Sequence, residues 1–184
     1  MILKQNIPNY LTALRIAIIP LMLAVFVIPD GIGNVVAAGL FVLASISDFF
    51  DGYLARKWNV QSSMGRFLDP IADKLLIAAI LILLVDARVV EGWHILPAIA
   101  ILCREILVSG LREFLAEVKV VVPVTNLAKW KTGVQMGALF FMLLGPITPL
   151  WLGGDSFGLL LLWLAATLTL YTGYNYLVQG LKHF

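Results

Sequence analysis

Residues 48–73 read DFFDGYLARKWNVQSSMGRFLDPIAD, and this segment lies between two long apolar runs. Asp48 and Asp51 are three residues apart, and Asp69 and Asp73 are four residues apart. On a helix, either spacing brings both side chains of a pair to the same face. The segment therefore predicts a helical hairpin with a short polar connection, in which each arm presents one pair of carboxylates to the other.

On both sides of this segment, the composition of the chain is that of a membrane-spanning protein. Of its 184 residues, 61% are hydrophobic and 13% are charged, whereas about a quarter of the residues in a soluble domain are charged. A span of the hydrocarbon core takes about 20 mostly apolar residues. We therefore expect an all-α, polytopic membrane protein in which residues 1–184 form a single membrane domain. Six transmembrane helices are predicted, over residues 8–28, 34–56, 66–85, 93–114, 127–144 and 157–177.

The basic residues are distributed unevenly between the two sides of this arrangement. Cytoplasmic loops of membrane proteins carry an excess of Lys and Arg. One set of connections has Arg88 as its only basic residue. The distribution predicts that both termini and the hairpin connection face the cytoplasm. The residues on the basic side are Lys4, Arg15, Arg56, Lys57, Arg66, Arg112, Lys119, Lys129, Lys131 and Lys182.

Four acids in predicted membrane helices need an explanation. One aspartate at the centre of a span costs roughly 2.5–3.5 kcal/mol on insertion scales, and four close together repel one another. Hard divalent cations such as Mg²⁺ or Mn²⁺ prefer carboxylate oxygens, and four carboxylates are enough for two ions. The alternative is that the acids form structural salt bridges with Arg56, Arg66 and Lys74. Because acids buried in membranes are usually functional, we favour the metal site.

Small residues lie beside the acids. Gly52 and Ala55 share the face of the first pair, and Gly65 lies one turn before the second pair. Little side-chain bulk beside a metal site lets a large ligand approach the backbone. Arg56 at the rim can then donate two hydrogen bonds to a phosphate.

The pattern D-x2-D-G-x2-A-R-x8-G-x3-D-x3-D over residues 48–73 resembles the signature of the CDP-alcohol phosphotransferase family. The resemblance implies a membrane enzyme that transfers a phosphatidyl group from CDP-diacylglycerol to an alcohol and releases CMP. It implies Asp48, Asp51, Asp69 and Asp73 as ligands of two Mg²⁺ or Mn²⁺ ions, with Asp73 also the general base. It further implies a CDP-diacylglycerol pocket lined by Gly52, Ala55, Arg56, Ser62 and Gly65, with Asn9 and Thr12 as additional candidates; helix capping is an equal interpretation of these last two.

The flanking sequences resemble bacterial members whose acceptor is sn-glycerol 3-phosphate. They are Asn6-Ile7-Pro8-Asn9 with Leu11-Thr12 and Arg15, Arg104-Glu105 with Arg112-Glu113, and Lys129-Trp130-Lys131-Thr132 with Gln135. This resemblance implies phosphatidylglycerophosphate as the product. It also implies the bacterial cell (inner) membrane as the location, with the active site facing the cytoplasm and membrane lipids, not nucleic acid, as partners.

An acceptor phosphate needs cations that the aspartates do not occupy. Arg112 and Lys131 are the preferred candidates, followed by Arg104 and Lys129. For each of them, a charge that only sets membrane topology is an equal interpretation. Arg104 is the deepest in its span, and it could instead pair with Glu105 or Glu113.

Other functions stay open from the residues alone. A transporter also carries intramembrane acids, but it more often has repeated halves or broken helices, and neither is visible here. Phosphatidylglycerol, inositol phosphate or serine as acceptor would use the same motif. Gly133 and Gly137 form a GxxxG pair that predicts either a homodimer or tight packing within one chain.

Overall fold

The computed structural model of the chain describes residues 2–29, 31–58, 63–120, 126–147 and 155–181. Side chains are described for these residues except 2–9, 49, 54–56, 63, 64, 66, 126, 146 and 155. Within these ranges the structure is all-helical, as predicted. Its α-helices are α1 (Ile2–Phe26), α2 (Ile32–Trp58), α3 (Ser63–Asp86), α4 (Ile95–Glu117), α5 (Asn126–Leu144) and α6 (Asp155–Gly180), with 3₁₀ turns at Gly92–His94 and Gly145–Ile147.

Each of these helices overlaps one of the predicted spans, although α1 ends two residues before its span and α4 begins two residues after its own. The largest difference is at the start of α1, which begins at Ile2, whereas the prediction begins at residue 8. Proline disfavours a helix on its N-terminal side, because its ring clashes with the preceding turn, so the turns of α1 before Pro8 are not ones that the sequence predicts. The turn between α1 and α2 includes Gly31 at a φ of 76°, a backbone conformation that favours glycine.

The helices are those of a polytopic membrane protein. In the described ranges, Ile32–Tyr53, Gly92–Glu117 and Ser156–Gly180 are long and apolar enough to cross a membrane, and Tyr10–Phe26 is a shorter apolar segment. Many large apolar side chains on these helices are exposed, including Leu43, Ile106 and Leu164, as lipid-facing positions require. The orientation of the termini stays a prediction.

The chain divides into two compact units, Met1–Leu83 and Leu84–Phe184. In the first unit, α1 packs along α2. A side chain at Gly33 would place its Cβ 2.6 Å from the carbonyl oxygen of Ile28, so only glycine fits there. The core is apolar around Met22, Phe41 and Ile80, but Thr12, Arg15 and Asp51 are buried with it.

In the second unit, α6 packs against both α4 and α5. Its core contains Ile101, Leu139, Met142 and Leu162, all fully buried. Polar side chains are also buried there: Lys131, Gln135, Thr169 and Thr172. Each unit thus combines an apolar core with one group of buried polar residues, and these two groups are the candidate functional residues.

Candidate functional site

The four aspartates of the motif come together with two residues of α1. We call Asp48, Asp51, Asp69 and Asp73, with Thr12 and Arg15, the acidic cluster. Helix α2 supplies the first pair of acids and α3 the second, each pair on one helix face. Thr12 and Arg15 are three residues apart, so they too share a face of their helix.

Arg15 lies at the centre of the acidic cluster, and its side chain has no exposed surface. Its Nη1 is 2.9 Å from Oδ1 of Asp48 and 2.7 Å from Oδ1 of Asp73, and its Nη2 donates to Oδ2 of Asp51. One guanidinium therefore contacts carboxylates from two helices. Its Nε is buried without a hydrogen-bond partner among the described residues.

Thr12 connects the same helix to the fourth aspartate. Its hydroxyl donates a hydrogen bond of 2.6 Å to Oδ1 of Asp69, and Thr12 is 1% exposed. The two polar residues of α1 thus contact both acid pairs. Because Thr12 is neutral, it stabilises Asp69 without neutralising its charge.

The acids differ in how far an external ligand can reach them. The side chain of Asp51 is 3% exposed, whereas those of Asp48 and Asp73 are 44% and 46% exposed. Asp51 is therefore held inside the protein by its partner Arg15, and Asp48 and Asp73 are open to an approaching substrate.

The donor chemistry of the acidic cluster suits a hard divalent ion. Its four carboxylates offer oxygen ligands, and they outnumber the single guanidinium, so negative charge remains to be neutralised. Among the described side chains, no group of three or more acidic, histidine or cysteine residues is arranged to hold an ion as it stands. The carboxylates of Asp48, Asp51 and Asp73 converge on Arg15 instead.

The cations expected for structural salt bridges are Lys74, Arg56 and Arg66. Nζ of Lys74 donates to the backbone oxygen of Pro70 at 2.6 Å, while the side chains of Arg56 and Arg66 lie outside the described residues. Asp48, Asp51 and Asp73 do form ion pairs, but with Arg15, which the sequence analysis assigns to membrane topology and to the flanking resemblance.

The other predicted nucleotide-pocket residues are described unevenly. Gly52 is half-buried on α2 and Gly65 is buried on α3. Ser62, and the side chains of Asn9, Ala55 and Arg56, lie outside the described residues. Thr12 serves as a partner of Asp69 rather than as a helix cap, since it lies well inside α1.

A second group of polar residues lies in the other unit. We call Arg104, Glu105 and Lys131, with Gln135, Thr169 and Thr172, the basic cluster. Nζ of Lys131 donates to Oε1 of Glu105, and Nη1 of Arg104 is 3.2 Å from that same oxygen. Nη2 of Arg104 donates to Oγ1 of Thr172 at 3.4 Å. Arg104 therefore pairs with Glu105, one of the two partners expected for it.

The basic cluster keeps unused hydrogen-bonding capacity. Nε of Arg104, Oε1 of Gln135 and Oγ1 of Thr169 are buried without hydrogen-bond partners in the described part of the chain. Two cations also face only one anion within the cluster. Buried polar atoms normally have partners. The two cations and the Thr169 hydroxyl can donate to an anionic ligand, whereas Oε1 of Gln135 can only accept.

The remaining acceptor-site candidates lie on exposed surface. Arg112 is exposed on α4, with its guanidinium carbon 6.0 Å from the centre of the Tyr176 ring. Lys129 is exposed on α5, whereas Lys131, two residues later, is buried. The structure thus brings Arg104 and Lys131 together and leaves Lys129 apart from them.

Sequence reasoning missed Arg15 and Glu105 as centres of their clusters. A signal for Arg15 was present, since a charge within an apolar span is expensive to insert and is usually paired. Glu105 gave a weaker signal, because its main partner Lys131 is 26 residues away and nothing in the sequence joins the two.

Comparison with known proteins agrees with the motif. The family model described as CDP-alcohol phosphatidyltransferase matches residues 5–171. The CDP-diacylglycerol–glycerol-3-phosphate 3-phosphatidyltransferase of Rickettsia bellii is 50% identical over 182 residues, covering 99% of each chain. Proteins with the same name from Salmonella typhimurium and Cereibacter sphaeroides are 41% identical over 177 residues (95% of this chain, 94% of the relative) and 37% identical over 216 residues (98% of each).

Proposed function

This chain belongs to the CDP-alcohol phosphatidyltransferase family, and we propose that it transfers the phosphatidyl group of CDP-diacylglycerol to sn-glycerol 3-phosphate. The products are phosphatidylglycerophosphate and CMP, so the protein acts in phospholipid biosynthesis. The observation that carries this proposal is the acidic cluster itself, in which two helices hold four carboxylates at the spacing of the family motif. The names of the relatives support the acceptor.

The family generally uses divalent metal ions, and the donor set of the acidic cluster fits them. Asp48, Asp51, Asp69 and Asp73 would hold two ions, Mg²⁺ or Mn²⁺. The chemistry that such ions supply when bound is neutralisation of the diphosphate and of the charge that develops on departing CMP.

Asp73 is the proposed general base. Its side chain is 46% exposed, and Nη1 of Arg15 contacts one of its oxygens at 2.7 Å. It accepts the proton of the primary hydroxyl of glycerol 3-phosphate. That hydroxyl oxygen then forms a bond to the β-phosphorus of CDP-diacylglycerol, and the bond from this phosphorus to the oxygen bridging to CMP breaks. CMP leaves with the electron pair of the broken bond.

The nucleotide and diphosphate are proposed to bind beside the first acid pair. Gly52 and Gly65 have no side chain to obstruct them, and Thr12 orients Asp69 through its hydroxyl. Ala55, Arg56, Ser62 and Asn9 complete the proposed pocket on the strength of the family motif and its flank alone.

The basic cluster is the proposed source of binding for the acceptor's phosphate. Lys131 and Arg104 supply positive charge inside the protein, and the exposed Arg112 and Lys129 add charge at the surface. A phosphate dianion can replace the single carboxylate of Glu105 as their partner, since it offers more acceptor oxygens and more charge. Serine, which has no phosphate, would leave this charge unused.

The location follows from the chemistry of the substrates. The lipid donor lies in a membrane, while glycerol 3-phosphate and CMP are soluble and are found in the cytoplasm. We therefore place the protein in the bacterial cell (inner) membrane with the acidic cluster on the cytoplasmic side, as the distribution of basic residues predicts.

The direct test is a CMP-release assay with protein purified in detergent. CDP-diacylglycerol and Mg²⁺ or Mn²⁺ are supplied with glycerol 3-phosphate, phosphatidylglycerol, inositol phosphate or serine, and EDTA is the metal control. Metal-dependent release with glycerol 3-phosphate alone supports the whole proposal. Release with another acceptor keeps the chemistry and replaces the acceptor, and no release from folded protein contradicts an enzymatic function, leaving an ion-coupled transporter as the next hypothesis.

A further inference from the structure

The central position of Arg15 has a consequence for metal binding. Its guanidinium contacts Oδ1 of Asp48, Oδ1 of Asp73 and Oδ2 of Asp51. These three acids belong to the proposed ligand set. A metal ion that takes the same oxygens would bring a second cation into contact with a buried guanidinium, and like charges at that distance repel strongly away from water.

The contacts of Arg15 are not equally easy to release. The contact through Nη2 is with Asp51, which is as buried as Arg15 itself, so breaking it would strand two charges inside the protein. The contacts through Nη1 are with Asp48 and Asp73, which are nearly half exposed. Separating Nη1 from these two acids leaves them with water or with another cation as partner.

We propose that Arg15 is an internal counter-ion of the acidic cluster, and that a divalent metal displaces it from Asp48 and Asp73 while it stays paired with Asp51. This inference rests on the proposed function, because it takes the metal ligands from there. Arg15 holds the carboxylates together when no ion is bound and lowers the affinity for the ion that replaces it. It is a positioning residue that sets how tightly and how reversibly the metal binds.

The neighbouring contact agrees with this division of roles. Thr12 lies one turn before Arg15 and donates to Asp69 through a neutral hydroxyl at 2.6 Å. A neutral donor does not repel a metal ion, so this hydrogen bond can persist when the ion binds. Of the two residues that α1 contributes, Arg15 competes with the metal for the carboxylates and Thr12 does not.

The test measures Mn²⁺ binding and thermal unfolding, neither of which depends on turnover. Arg15→Met keeps a long side chain and removes the charge, and Arg15→Lys keeps the charge but loses the two-nitrogen fork. Free Mn²⁺ is followed by electron paramagnetic resonance during titration of the detergent-purified protein. We expect Arg15→Met to tighten Mn²⁺ binding by about tenfold or more, since a like charge leaves the site. Arg15→Lys should tighten it less.

The unfolding experiment gives the second readout. In EDTA, Arg15→Met should unfold at a lower temperature than the unchanged protein, because its aspartates repel one another. Saturating Mn²⁺ should raise its unfolding temperature by more than it raises that of the unchanged protein. Unchanged or weaker Mn²⁺ binding by both Arg15 variants would overturn the inference, as would an Arg15→Met protein that Mn²⁺ does not stabilise.

Asp48→Asn separates failure of the inference from failure of the proposed function. If the acids hold the metal, this variant weakens Mn²⁺ binding, which is the opposite of the effect expected for Arg15→Met. If Asp48→Asn leaves Mn²⁺ binding unchanged, the proposed metal site is wrong. If Asp48→Asn weakens binding and neither Arg15 variant tightens it, the metal site stands and the counter-ion role of Arg15 is wrong.

Discussion

In both the acidic cluster and the basic cluster, one central charge is contacted by several charges of the opposite sign, and the signs are reversed between the two. In the first, four carboxylates contact or surround one cation, Arg15; in the second, Arg104 and Lys131 contact one anion, Glu105. They differ in which partner is deepest. Arg15 is completely buried and Asp51 nearly so, while Asp48 and Asp73 are nearly half exposed; in the basic cluster Glu105 is 17% exposed and Lys131 only 6%. In the acidic cluster the more exposed residues are therefore the proposed metal ligands Asp48 and Asp73. In the basic cluster the more exposed residue is the counter-ion Glu105.

This difference predicts that substitutions in the acidic cluster mainly lower turnover, and that substitutions in the basic cluster mainly lower stability. The exposed acids can take part in chemistry, so changing them should affect turnover. The buried lysine is tied to its unit's core, so changing it should affect stability first. Both expectations can be tested with single substitutions.

The largest effect is expected for Asp73→Asn. Loss of a general base should lower the rate of CMP release by about 10²–10⁴-fold, while binding of CDP-diacylglycerol changes little. Initial rates at saturating substrate, together with binding of the labelled lipid, measure the two separately. Asp86→Asn, at the other end of the same helix, is the matched control and should retain its rate. Equal loss of lipid binding and turnover would show that Asp73 is chiefly structural.

Lys131→Met should destabilise the protein by about 1.5–3 kcal/mol, because Glu105 loses a charge-assisted hydrogen bond and keeps only Arg104, at 3.2 Å, as its partner in the cluster. The double variant Lys131→Met/Glu105→Gln should lose less stability than the sum of the two single variants, since the Lys131–Glu105 ion pair is then lost only once. Unfolding by SDS titration in mixed micelles gives the free energy of unfolding of each. If the losses of the two single variants simply add in the double variant, the pairing of Lys131 with Glu105 is not the cause.

Arg112→Ala should have a smaller and more selective effect. Arg112 is exposed, so its loss should leave stability almost unchanged and raise the KM for glycerol 3-phosphate by about tenfold, the equivalent of about 1.4 kcal/mol. The KM for CDP-diacylglycerol should stay the same. Lys119→Asn is the control, because it removes an exposed cation at a positive φ that asparagine tolerates. An unchanged acceptor KM would exclude Arg112 from the acceptor site.

The smallest effects come from two glycines. A Cβ at Gly173 would lie 2.9 Å from Cγ of Arg104, whereas one at Gly133 would meet no atom within 4 Å. Gly173→Ala should therefore displace Arg104 and raise the acceptor KM a few-fold, and Gly133→Ala should leave it unchanged and stabilise α5 by about 0.5–1 kcal/mol. If Gly133→Ala instead weakens self-association in light scattering, the GxxxG pair forms a homodimer contact rather than a packing contact within one chain. Equal acceptor KM values for the two variants would contradict the role of Gly173 in placing Arg104.

The helices could be predicted from the sequence because apolar runs, separated by connections that contain Gly and Pro, mark where a helix lies. The start of α1 could not, because residues 2–7 have no strong apolar signal and their helical state depends on local geometry. The acid pairs were visible because both members lie on one helix, where spacing determines the face. Contacts between helices follow no such rule. Arg15 is 58 residues from Asp73, and counting charges on each side of the membrane assigned it to topology.

The position of Arg15 also affects the order in which the chain can assemble. Its partner on α3 is 58 residues further along, which corresponds to roughly 3–12 s of synthesis at about 5–20 residues per second. Before α2 is made, the nascent first helix carries an unneutralised guanidinium, whose placement at the centre of a bilayer would cost about 2.5–3.5 kcal/mol. Until α3 follows, the only partners of Arg15 in the acidic cluster are Asp48 and Asp51. Stable insertion of α1 therefore depends on helices that the ribosome has not yet made. The first three helices should therefore insert into the membrane cooperatively, and the ion pairs of Arg15 with α2 and α3 should complete their assembly.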